Sequence, residues 1–138
     1  MENKINYGRI LLGGLVAGVV TVFIGFAIHG GLLGSHYEYF MKTGAMQPAP
    51  RMMPLQVFTQ VLSGIFLAML YVAGRKQFGP GPKTAIMMGI LVGLVSLPGT
   101  TALYSYYNVG GMIPLMTLVG NVLECTIGML IAGVLYKD

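Results

Sequence analysis

The chain has 138 residues, of which 55% are hydrophobic and only 9% charged, whereas a soluble domain of ordinary composition carries about 25% charged residues. Its formal net charge is +4, with no run of lysine or arginine longer than two residues, so a basic stripe for nucleic acid is excluded. The single cysteine, Cys125, excludes an internal disulfide or a thiolate cluster built from one chain.

The N-terminal "MENKINYGR" is polar and short. The apolar stretch after it is too long for a signal-peptide core and has no clear cleavage site, so it is expected to be retained. A membrane-spanning helix needs about 20 mostly apolar residues, and residues 10–33 supply the first such span. Gly14, Gly18 and Gly25 fall on one helical stripe there, and small residues let helices approach closely in lipid. His29 stands near the far end of this span. The connection "GSHYEYFMKTGAMQPAPRMMP" follows, its first half patterned as a short interfacial helix with Tyr37, Tyr39 and Phe40 at headgroup level.

The second span covers residues 54–73 and carries Gln56 and Gln60 in its first half. "GRKQFGPGPKT" is turn chemistry, because Pro80 and Pro82 cannot continue a helix while Gly79 and Gly81 permit tight turning. The third span, residues 84–103, has a second small-residue stripe of Gly89, Gly93 and Ser96. Pro98, Thr100 and Thr101 follow in its last part. The glycine likeness of "RILLGGLVAGVV" and "KTAIMMGILVGLV" is compositional. "YSYYNVGG" adds Tyr104, Tyr106 and Tyr107, so that six of the fourteen aromatics fall in the two connections on this side. The fourth span, residues 112–136, contains Glu124 at its middle within "LVGNVLECTIGML".

Four spans in a single domain, residues 1–138, predict an all-α integral membrane protein. Its fold is an antiparallel four-helix bundle with every backbone polar group satisfied inside its own helix. Lys4, Arg9, Arg75, Lys76, Lys83 and Lys137, six of the eight basic residues, fall on one side; Lys42 and Arg51 fall on the other. Basic residues mark cytoplasmic loops, so both termini are expected in the cytoplasm and the aromatic rim outside.

A carboxylate near the bilayer midplane costs several kcal/mol unless it is neutral, paired or hydrated. Glu124 shares a helical stripe with Thr117, Asn121 and Gly128, so it is expected to face the bundle interior. Two roles stay open for it: a structural acid, protonated and hydrogen-bonded to Asn121 or to the first or second span, or an ion, proton or substrate site. The strongly polar residues cluster by depth. His29, Gln56, Gln60, Thr100 and Asn121 all lie in the outer half, with Glu124 at the bottom, so an outward-opening pocket lined by these six is expected. A channel would need polar lining at both depths.

Neither a metal nor a cofactor is expected. His29 and His36 on one helix have the wrong geometry for two axial haem ligands. Met46, Met52, Met53, Met112 and Met116 gather toward the outer side, but the outer loop has no Met-x-x-Met or Met-x-Met pair of the kind a soft copper site uses. Methionine also fills gaps in apolar cores. No glycine-rich phosphate loop, H-E-x-x-H or G-x-S-x-G occurs, so a catalytic role is disfavoured.

Taken together, "GGLVAGV", "HGGLLGSHYEYFMK", "RKQFGPGPKTA", the glutamate-bearing last span and "GVLYKD" resemble a group of small four-span bacterial membrane proteins catalogued only as domains of unknown function. The resemblance covers most of the chain. It implies the four-span fold and a bacterial inner membrane, and it transfers no catalytic or binding residue. The function expected is a non-catalytic small membrane subunit, partnered by the lipid bilayer and by other membrane subunits or copies of itself. The alternative is a small oligomeric transporter or ion-coupled carrier whose outward pocket ends at Glu124. An enzyme acting on lipid or quinone comes third.

Overall fold

In a computed structural model the chain is all-helical, with residues 5–45, 53–106 and 109–136 described. Lys4, Met46, Arg51, Met52, Tyr107 and Lys137 lie outside the described residues. Four helical segments are long and apolar enough to cross a membrane: Tyr7–Leu32, Met53–Phe78, Pro82–Tyr106 and Met112–Leu135. In chain order the elements are α1 (Tyr7–Gly25), which runs on as a π-helical turn (Phe26–Leu32), then α2 (Gly34–Lys42), which lies outside these segments, α3 (Met53–Phe78), α4 (Pro82–Leu94), α5 (Leu97–Tyr106) and α6 (Met112–Leu135).

Local chemistry sets the boundaries. Asn6 caps α1, its side-chain oxygen accepting from Arg9 N at 3.1 Å. Gly79 and Gly81 take φ of +82° and +127° between α3 and α4, values an L side chain rarely adopts, and Pro82 opens α4 with its ring already at a helical φ. The Thr84 hydroxyl ties the turn back by donating to Gly79 O at 2.8 Å.

The third span is broken rather than merely bent. Pro98 has no N–H for the carbonyl of Leu94, and its ring would clash there. The chain leaves the α-helix after Leu94, Ser96 N turns back onto Gly93 O at 3.2 Å, and α5 restarts at Leu97.

Helices meet along two glycine seams. On α1 against α3, a methyl placed on Gly14 would fall 2.5 Å from Ile65 Cα, and one on Gly18 would fall 2.5 Å from Val61 O. Gly64 answers from α3, where a methyl would reach Gly18 N. On α4 against α6, Gly89 faces Thr126 Cα at 2.4 Å and Gly93 faces Val122 Cα at 2.5 Å by the same measure. Both helix pairs thus use one device, glycines one turn apart on the first helix against backbone of the second. Helix α6 joins the two pairs by packing on α1 and α3 as well as α4, while α5 rests on α6.

Two cores result. Ile10, Leu67, Ala68, Tyr71, Val72, Ala85, Met129, Ala132 and Tyr136 fill one end of the bundle. At that end Arg75 lies 5.0 Å above the Tyr136 ring, and Asn6 N donates to Tyr136 Oη at 3.2 Å. Gly81 N donates to Tyr71 Oη at 3.1 Å. The starts of α1 and α4 and the ends of α3 and α6 therefore share this basic end. At the opposite, aromatic end a smaller core joins Ile28, Leu33, Val109 and Ile113, with Tyr37, Phe40 and Met116 against it.

Candidate functional site

Glu124 is buried at 8% exposure, where α1, α3 and α6 converge. Its Oε2 accepts from Gln60 Nε2 at 2.5 Å. Its Oε1 lies against α1 at Gly25, where an added methyl would come within 3.1 Å. The small residue at Gly25 leaves room for the carboxyl. One turn toward the aromatic end Gly120 meets Ile28, and one turn toward the basic end Gly128 meets Leu67 and Thr21. The fourth-span stripe thus packs a carboxyl between two glycines, against one glycine and one amide of neighbouring helices. The expected interhelical partner for Glu124 is Gln60 of the second span.

The remaining candidates do not converge on that pair. Gln56 is exposed, and its carbonyl accepts from the Thr59 hydroxyl at 3.0 Å. Gln56 and Gln60 share one helical face, but among the described residues α3 has no extensive contact with α2 or α5, and Gln56 lies exposed. Thr100 is buried at 5% exposure, but its hydroxyl donates to Leu97 O at 2.9 Å within its own helix. His29 is half-buried and pairs through Nδ1 with Tyr37 Oη at 2.8 Å. Asn121 is half-buried and has no protein hydrogen-bond partner among the described residues. The expected six-residue pocket therefore resolves into the Gln60–Glu124 pair, a separate His29–Tyr37 pair, Asn121 between them, and two residues turned elsewhere.

The Tyr37 ring packs against the aromatic-end core while its hydroxyl meets His29 and Thr117. Burial pushes the Tyr37 hydroxyl above its ordinary pKa, and the Thr117 hydrogen bond opposes that shift. The signal available was an interfacial tyrosine eight residues after a histidine, a spacing with no meaning until a π-helical turn is inserted. His36, the residue sequence analysis set beside His29, has Nδ1 buried without a hydrogen-bond partner. It borders a shallow surface depression with Ser35, Tyr39 and Phe40. Among the methionines, Met53 and Met112 are exposed, whereas Met116 packs against the aromatic-end core.

Both irregular segments lie at one depth beside Glu124. Gly25, in contact with Glu124, is the last α-helical residue before the π-helical turn, and Ile28 in that turn meets Gly120. Across α6, Gly93 meets Val122, and the third span breaks at the next turn. Irregular backbone at membrane depth is tolerated where protein or water satisfies it, and π-helical turns are frequent at functional positions.

No family model, curated protein or solved structure matches this chain. The geometry alone bears on what it does.

Proposed function

We propose that the protein is a non-catalytic small membrane subunit that packs within a larger membrane complex or against copies of itself. The observation that carries this reading is how the buried polar groups are used. Thr21 donates to Gly18 O, Thr84 to Gly79 O and Thr100 to Leu97 O, and Gln60 closes on Glu124. Their hydrogen-bonding capacity is directed at the chain's own helices, whereas a catalytic site presents such groups to a shared free volume.

On this reading the bundle is antiparallel and both termini face the cytoplasm of a bacterial inner membrane. The six-to-two split of basic residues supports the orientation. Opposed numbering along the seams, Gly14 with Ile65 then Gly18 with Val61, supports the antiparallel order. Membership of the small four-span bacterial group rests on the sequence resemblance.

Isolation of the native particle in mild detergent tests the assignment. A stoichiometric membrane partner, or a homo-oligomer free of solute, is the expected result. A particle carrying a stoichiometric ion or solute that Glu124→Gln releases would replace this reading with the carrier. The coincidence of two irregular segments at the depth of Asn121 favours that second reading, because transporters place broken helices beside their substrates.

A further inference from the structure

Gln56 and Gly74 of α3 stand eighteen residues apart, about five full turns, so they look out over the same side of the helix. At the basic end that side is covered, because a methyl added to Gly74 would run into Met88 of α4. At the aromatic end it is open. The third span breaks between Leu94 and Leu97, and beyond the break α5 rests on α6, without extensive contact to α3 among the described residues. Thr100 is the one buried residue of α5, and a methyl added to the adjacent Gly99 would meet nothing within 4 Å. A gap floored by α6 thus separates the outer halves of the second and third spans. Asn121 belongs to that floor, since it falls on α6 between Glu124, which meets Gln60 of α3, and Val122, which meets Gly93 of α4.

The gap lies at membrane depth. The bond to Glu124, at the middle of α6, fixes the level of Gln60, and Gln56 is one turn, about 6 Å, farther toward the aromatic end. The hydrocarbon of a bilayer reaches about 15 Å to either side of its midplane. The Gln56 side chain is exposed, so in the isolated chain it faces lipid tails. Phe58, on the far side of the same turn, is 63% exposed and suits lipid; an amide does not. The hydroxyls near Gln56 are already used, Thr59 donating to Gln56 O at 3.0 Å and Ser63 to Gln60 O at 2.7 Å. The side-chain amides of Gln56 and Asn121 have no hydrogen-bond partner among the described residues. An amide left so in hydrocarbon is costly.

We propose that a second copy of the chain docks on this side of α3, its own α3 lying parallel in the gap and the two Gln56 amides paired. Copies inserted in the same sense share a two-fold axis along the bilayer normal, and each residue near the axis meets its own counterpart at the same depth. That requirement selects groups able to bond to themselves. A carboxamide donates through Nε2 and accepts through Oε1, so two Gln56 side chains satisfy one another across the axis, which two like charges could not do. The small Thr59 and Ser63 side chains let the two helices approach closely, and the incoming helix covers Asn121. The inference rests on the subunit reading above and narrows it to a contact between copies.

Disulfide trapping of the full chain in native membranes, with Cys125 replaced by serine, tests it. Ser63→Cys leaves Gln56 in place on the docking side and should give a covalent dimer on oxidation, whereas Phe58→Cys on the lipid side should not. Gln56→Leu added to Ser63→Cys should lower the yield of that dimer. In lipid vesicles Gln56→Leu should raise the dissociation constant of the dimer about tenfold, as the loss of two interhelical hydrogen bonds implies. The Gln56 side chain makes no bond within the chain, so the variant should keep its helical circular dichroism. A homo-oligomer trapped through Phe58→Cys alone, or trapping indifferent to Gln56→Leu, would overturn this interface and leave the subunit reading standing. Ser63→Cys trapped on a different protein would overturn the second copy in favour of that partner. A chain trapped at neither position would overturn the interface, and if it also carries a solute that Glu124→Gln releases, the subunit reading falls with it.

Discussion

At the scale of single residues, the Gln60–Glu124 bond is the most consequential feature because neither partner has water as an easy substitute. Interhelical hydrogen bonds in membranes contribute about 0.6–2 kcal/mol, and leaving a buried donor unmade costs about 1–3 kcal/mol. Glu124→Gln keeps the shape and an acceptor for Gln60, so it should change stability little. Glu124→Leu leaves the Gln60 amide stranded and should lower stability by about 1–2 kcal/mol. The double change Gln60→Leu with Glu124→Leu should recover part of that loss, and unfolding in a denaturing-detergent titration would measure all three. A double variant no better than Glu124→Leu alone would show that the carboxyl acts through packing instead. Tyr37, outside the spans, gives a pH-dependent counterpart. Its folded pKa is raised mainly by burial, so the folded state holds its proton longer than the unfolded one. That contribution is complete below the ordinary tyrosine pKa of about 10 and is lost as pH climbs through the folded value. The native protein should therefore lose stability above about pH 10 more steeply than Tyr37→Phe, which thermal melts at pH 8 to 11 would reveal.

At the scale of elements, the glycine seams are what make these helices a bundle in a medium that offers no hydrophobic drive between them. Gly18 and Gly93 face backbone atoms of the neighbouring helix, and backbone yields less readily than the tip of a side chain. Gly18→Val and Gly93→Val should each separate a helix pair and cost at least the 1–3 kcal/mol typical of overpacking. Gly99→Ala, where nothing lies within 4 Å, should be neutral. Equal melting shifts at all three positions would argue against the seams. These seams were legible in the sequence because spacing by one turn is a local property, and both stripes fall where small residues recur. Pro98 likewise announced a disturbance of the third span, although the break itself precedes it, where Leu94 O loses its donor. The remainder depends on which helix covers which face. Gln56 and Gln60 are equivalent by spacing, yet Gln60 meets Glu124 of α6 while Gln56, one turn on, lies exposed. The π-helical turn and the bend at Leu33 interrupt the α-helical register after Gly25, and across them His29 pairs with Tyr37.

At the scale of the whole molecule, the two ends of the bundle are chemically unlike. The basic end joins Arg9, Arg75, Lys76 and Lys83 to a core sealed by Tyr71 and Tyr136, with the Arg75 guanidinium above the Tyr136 ring. The aromatic end carries Tyr39, Tyr104 and Tyr106 at high exposure and a single described ion pair, Lys42 with Glu38 at 2.6 Å. An exposed pair of this kind contributes little to stability, and it cancels the one described positive charge at that end. Orientation in a membrane is decided by lysine and arginine in short loops, and by that count, six residues against two, the two ends are strongly biased. The basic end should face the cytoplasm. With Cys125 replaced by serine, Lys76→Cys should resist an impermeant thiol reagent in intact cells and react once the membrane is opened, while Thr43→Cys should react in both. Thr43 is exposed at the end of α2, and Lys76 is exposed at the end of α3, so a difference in labelling reports sidedness and not burial. The reverse pattern would turn the bundle over.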